Sequence, residues 1–151
     1  MTKVAKVLLT GKTTTTASDH RIISGDHEGK VNIKLSTPGN SAAPAYDFTA
    51  VAPHPTAEQL FAGAWSACYI AAVGLTAKEM KVSLPADTAV DIEVDLGMTG
   101  SQYLLQARLT LRVPGLDPEI AQAVGHGADA ICPYSKATRG NIGVVLSIVT
   151  E

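Results

Sequence analysis

The chain predicts an α+β fold, and three features of its 151 residues carry that expectation. Short stretches in which apolar and polar residues alternate lie towards both ends. An uncharged run from residue 60 to residue 77 lies between them, long enough for a helix of several turns. The strand-like stretches come in groups separated by turn residues, which favours largely antiparallel pairing over a parallel α/β sheet.

Each element follows in order. Residues 4–10 and 13–16 read as strands, as do 21–24 and 31–36; in the last, Val31, Ile33 and Leu35 alternate with Asn32, Lys34 and Ser36. Residues 38–55, rich in Pro, Ala and small polar residues, read as one long loop. Thr56-Ala57-Glu58-Gln59 has the form of a capping box, with Thr56 accepting from the Gln59 amide and Gln59 reaching back. The helix it opens should run to about Met80, with Gly63 and Gly74 as weak points. Val90, Ile92, Val94 and Leu96 alternate with Asp91, Glu93 and Asp95, and residues 103–113 form the second arm of a hairpin that turns at 98–101. Pro118 opens a second helix reaching about Ile131, which Pro133 stops. Residues 142–149 close the chain as a strand.

Composition narrows the function classes. The length suits a single domain, residues 1–151. A net charge of −2 gives no electrostatic reason to expect nucleic acid or an anionic membrane as partner. Two cysteines are too few for a disulfide scaffold, and Met1-Thr2-Lys3-Val4-Ala5-Lys6 has no signal-peptide pattern, so a cytoplasmic location is expected. The run 60–77 approaches the length of a membrane span, but it is rich in Ala, Gly and Ser and lacks basic flanks. It reads as a core helix.

The two cysteines carry the chemistry. On a helix starting at Thr56, Leu60, Phe61, Ala64, Ala67, Cys68, Ala71 and Leu75 share one face. Cys68 therefore reads as a thiol in an apolar pocket, where cysteine is often inert packing and its pKa is raised. To react it needs a cation or donors within reach. Cys132 ends the second helix ahead of Lys136 and Arg139 and reads as lying near the surface. In a reducing compartment two such thiols suit a reversible dithiol–disulfide cycle. A metal site is not expected, because there is no C-x-x-C and His20, His27, His54 and His126 lack ligand spacing. Hydrolase-elbow, phosphate-loop and dinucleotide motifs are missing too.

Glu58-Gln59-Leu60-Phe61-Ala62, Ser66-Ala67-Cys68-Tyr69 and the block from Cys132 through Pro133-Tyr134-Ser135-Lys136-Ala137-Thr138-Arg139-Gly140-Asn141 to Ile142 resemble the organic hydroperoxide resistance (Ohr) proteins of the OsmC superfamily. The likeness extends through Lys34-Leu35-Ser36-Thr37-Pro38, Leu84-Pro85-Ala86 and Val113-Pro114-Gly115-Leu116. It implies mainly antiparallel sheets packed around a long central helix, in an intertwined homodimer. It implies Cys68 as peroxidatic thiol, Cys132 as resolving thiol, and Glu58 as the carboxylate holding an arginine over Cys68. Arg21 is the arginine that the region offers, although Thr16-Ala17-Ser18-Asp19-His20-Arg21 departs from the family's two glycines before that residue. The segment 39–54 is longer than the family's, and Pro55-Thr56-Ala57 replaces its Asn-Pro. The implied activity is reduction of organic hydroperoxides in the response to oxidative stress. No haem, flavin or metal is implied; the reductant is an external dithiol such as a lipoylated (dihydrolipoamide) protein.

Phe61, Trp65 and Tyr69 supply aromatic surface near Cys68, which favours alkyl, aryl or fatty-acid hydroperoxides over hydrogen peroxide. The same aromatics also suit an ordinary core. Two other classes use the same residues: a non-catalytic binding module for apolar ligands or lipids, and a general thiol–disulfide oxidoreductase. The second would normally show C-x-x-C.

Overall fold

The structure, a computed structural model, describes residues 3–16, 21–24, 31–35, 46–50 and 56–151, with the backbone alone for the three short segments between 21 and 50. It is a mixed α+β fold. One sheet has the order β4-β3-β2-β1-β5-β6-β7, formed by β1 (Lys6–Thr16), β2 (Arg21–Ser24), β3 (Val31–Leu35), β4 (Tyr46–Ala50), β5 (Ala89–Thr99), β6 (Gln102–Arg112) and β7 (Gly143–Val149). Among the described residues there are three helices, α1 (Ala57–Glu79), α2 (Pro118–Ile131) and α3 (Pro133–Thr138). All described pairings are antiparallel except β6 with β7, which α2 and α3 connect as a parallel pair. The described strands form one sheet, with α1 laid along one face.

Two sequence expectations change in detail. The two stretches expected over 4–10 and 13–16 are one strand, β1, which begins at Lys6, because Gly11 and Lys12 continue the ladder opposite Val94 and Glu93. Gly11 is placed there by packing: a Cβ on it would lie 2.5 Å from the Gln59 amide nitrogen, so the first turn of α1 rests on bare backbone. The stretch 38–55 is not all loop. Tyr46-Asp47-Phe48-Thr49-Ala50 alternates aromatic and polar residues and pairs with β3 from Val31↔Ala50 to Leu35↔Tyr46.

The capping box forms as its residues dictate, with Gln59 N–H donating to Thr56 Oγ1 at 3.1 Å and Thr56 N–H to Gln59 Oε1 at 2.9 Å. α1 then runs unbroken through Gly63 and Gly74. A helical glycine costs about 1 kcal/mol relative to alanine, too little to break a helix whose sheet-facing side is packed. Ala62, Trp65, Tyr69 and Val73 bury against Val90, Ile92 and Val94 of β5 and Leu109 and Leu111 of β6. By length and composition α1 could cross a bilayer. Here it serves as the core helix of the domain.

The opposite face of β1, β5 and β6 carries a polar ladder. Arg108 donates to both Asp95 oxygens, at 2.6 and 2.9 Å, and to Glu93 at 2.8 Å. Thr10 and Gln106 also donate to Asp95, while Arg112 and Thr14 donate to Asp91. Alternation along the strands thus separates an apolar layer under α1 from a charge-paired outer layer.

Candidate active site

The fold brings the two thiols together. Cys68 stands midway along α1, and Cys132 is both the C-cap of α2 and the N-cap of α3. The Cys132 thiol donates to Cys68 Sγ at 3.5 Å, and neither is in a disulfide. Sixty-four residues of chain separate them, so the approach is made by packing α2 and α3 against α1. Tyr69 Oη–H donates to the Gly125 carbonyl at 2.8 Å, and the Trp65 indole N–H donates to Ser135 Oγ at 3.3 Å. Gly125 also lets α2 sit close over β7, since a Cβ there would meet Ile148 at 2.7 Å.

The two thiols exchange their expected settings. Cys132 has no exposed surface and belongs to the core, whereas Cys68 is only half-buried. The cause is the orientation of α1. Leu60, Ala64, Ala71 and Leu75, on the face shared with Cys68, are exposed, Leu75 by 62%. The sheet takes the other face. Helix periodicity groups residues by face, but α1 is apolar all round, so its pattern does not say which side meets the sheet.

Three influences set the Cys68 thiol. Burial pushes its pKa up, a hydrogen bond from the Tyr134 backbone favours the thiolate, and the neighbouring Cys132 pushes it up again. The net direction is upward, and no cation among the described residues opposes it. Arg21 begins β2 opposite Lys34, and its side chain lies outside the described residues. Arg139 pairs instead with Asp129, at 2.6 Å. Glu58 is half-buried in the first turn of α1. Ten residues of continuous helix hold it about 15 Å along the axis from Cys68.

The aromatic residues divide. Tyr69 is fully buried in the core with its hydroxyl bonded, and burial pushes its pKa well up. Trp65 is fully buried as well. Phe61 is partly exposed beside it, ring centroids 5.6 Å apart, and is the aromatic left beside open space on α1. The sequence reading missed α3, whose second residue supplies the Tyr134 backbone contact. Pro133 was the available signal: proline favours the first position of a helix as strongly as it stops one.

With this geometry established, the relatives can be compared. The family model for OsmC-like protein matches residues 50–147. The chain is 35% identical over 149 residues to the organic hydroperoxide resistance protein of Xanthomonas axonopodis pv. citri (strain 306), covering 98% of this chain and 99% of the relative. The chain belongs to the OsmC family, among its organic hydroperoxide resistance proteins. Solved structures agree. The organic hydroperoxide resistance protein of Elizabethkingia anophelis, crystallised with thiocyanate, matches with a TM-score of 0.60 at 28% identity over 97% of this chain and 99% of that one. OhrB of Bacillus subtilis matches with a TM-score of 0.59 at 28% identity, over 93% and 98%. This membership places the half-exposed Cys68 and the buried Cys132 within a family whose members are named for hydroperoxide resistance.

Proposed function

We propose that this protein is a cytoplasmic, thiol-dependent peroxidase that reduces organic hydroperoxides to alcohols in the response to oxidative stress. The observation that carries the reading is the pair of free thiols 3.5 Å apart, one half-exposed and one buried behind it. The more accessible member, Cys68, attacks. The Cys68 thiolate displaces alkoxide from the peroxide oxygen, the O–O bond breaks, and a proton completes the alcohol while Cys68 becomes a sulfenic acid. Cys132 then condenses with the sulfenic acid, releasing water and forming the disulfide. An external dithiol, such as dihydrolipoamide on a lipoylated protein, supplies two electrons and two protons to restore both thiols.

The Tyr134 backbone hydrogen bond supplies one donor to the thiolate, and burial works against it. A guanidinium over Cys68 would lower the thiol pKa and donate to the peroxide oxygens, the role assigned to Arg21. Glu58 would hold that guanidinium in plane through a bidentate pair. Because α1 is unbroken, Glu58 does not reach the Cys68 of its own helix. A homodimer sharing its sites across the chains meets this constraint, and it would cover the exposed apolar face of α1. Phe61 and that face would receive the hydrocarbon part of the substrate.

The test is a titration of the reduced protein with cumene hydroperoxide. Loss of both thiols per chain, matched by cumyl alcohol in equal amount to peroxide consumed, is expected. Peroxide left unconsumed would leave apolar-ligand binding as the better account.

A further inference from the structure

A cavity lies beside α3, apart from the two thiols. It has a volume of about 250 Å³ and opens between α3, the end of α2 and β7, with neither cysteine in its lining. That is room for about eight waters at liquid density, or for one single-ring organic molecule. Its walls are of two kinds. Val144 and Leu146, on the core-facing side of β7, give an apolar surface, and the fully buried Trp65 borders the cavity behind it. Ser135, Asp129 and Arg139 give the polar groups.

The polar groups have unused capacity. Ser135 is 3% exposed; its oxygen accepts from Trp65, and its own proton has no acceptor among the described residues. A buried hydroxyl proton without an acceptor is costly, so a ligand atom accepting it would be favoured. Arg139 uses only Nη2 on Asp129 Oδ2 and on the Asp129 carbonyl. Its remaining N–H groups and Asp129 Oδ1 have no hydrogen-bond partner among the described residues. The ion pair makes the mouth neutral overall. A carboxylate entering would meet Asp129 as well as Arg139, whereas an uncharged head that both donates and accepts meets complementary partners.

We propose that this cavity binds a small neutral amphiphile of the alkyl or aryl alcohol class, with its hydroxyl at Ser135, Asp129 and Arg139 and its hydrocarbon against Val144 and Leu146, next to the buried Trp65. The site stands on this geometry alone and does not depend on the peroxidase reading. Trp65 is the single tryptophan of the chain, so its emission reports on occupancy directly.

The experiment titrates the reduced full-length protein with cumyl alcohol, following Trp65 fluorescence and intermolecular methyl NOEs, with benzoate as an anionic probe of similar size. An alcohol is not reduced by thiols, so the readout is the same whether or not the dithiol turns over peroxide. Saturable change in Trp65 emission is expected, with NOEs to the Val144 and Leu146 methyls. Benzoate should bind about tenfold more weakly or worse, because its carboxylate loses hydration beside Ser135 while Asp129 offsets the attraction of Arg139. Val144→Phe, which fills much of the cavity without adding a second tryptophan, should abolish saturation. Ser135→Ala should weaken binding several-fold while the fold is kept, as one lost hydrogen bond predicts. No saturation in the wild-type protein, NOEs to Leu60 or Leu75 instead, or benzoate binding as tightly as the alcohol would each overturn the proposal.

Discussion

At Cys68 two physical effects oppose each other. Burial and the neighbouring Cys132 disfavour the thiolate, while the Tyr134 backbone hydrogen bond favours it, and the first pair prevails among the described groups. A nucleophile at neutral pH therefore needs a cation, the role proposed above for Arg21. In Arg21→Ala protein the alkylation rate of Cys68 by iodoacetamide should titrate above the ordinary cysteine range. The wild-type profile should lie at least about one pH unit lower, the effect of one opposite charge at close range. Identical profiles would remove Arg21 from the role. Both cysteines were legible from the chain, because they are its only two. Their burial was not: Cys132 precedes a polar, basic stretch, yet the junction of α2 and α3 turns it into the core.

At the scale of elements, the caps and turns were readable because they are local. The Thr56–Gln59 box, the start of α2 at Pro118 and the hairpin between β5 and β6 all follow from residues a few positions apart. β4 was hidden because an outer strand with one neighbour needs little apolar content, and its partner β3 is remote from the composition of 38–55. The facing of α1 was hidden for the opposite reason, an excess of apolar surface. The polar ladder on β5 and β6 has a consequence for acid stability. Hydrogen bonds from Arg108, with those of Thr10 and Gln106, hold the Asp95 carboxyl down to about 2. A carboxyl depressed in the folded state stabilises fully above its unfolded value, near 3.9, and that stability is lost as pH falls towards the folded value. Chemical denaturation should therefore show a stability decrement between about pH 4 and pH 2 that Asp95→Asn reduces, with Asp91 in the same ladder contributing the same way. An equal decrement in Asp95→Asn protein would assign the acid sensitivity elsewhere.

At the scale of the whole molecule, one chain leaves its most reactive helix face uncovered. Leu60, Ala64, Ala71 and Leu75 continue the line of Cys68 into solvent, and Glu58 lies two to three turns away on the same rod. A second copy would cover the apolar face and bring a carboxylate to Cys68 at once. Mixing Cys68→Ser with Glu58→Ala protein under subunit exchange should restore peroxidase activity, because shared sites place both lesions together in one of two. Verified heterodimers without recovery would return Glu58 to its own chain. The central claim is that Cys68 takes the peroxide oxygen and Cys132 resolves it. Intact and peptide mass spectrometry of Cys132→Ser protein after one equivalent of cumene hydroperoxide tests this most directly. The account predicts added oxygen on Cys68, as sulfenic or sulfinic acid, where the wild type instead loses two hydrogens to a disulfide. Unmodified Cys68 in the variant, or wild-type oxidation confined to Cys132, would contradict it.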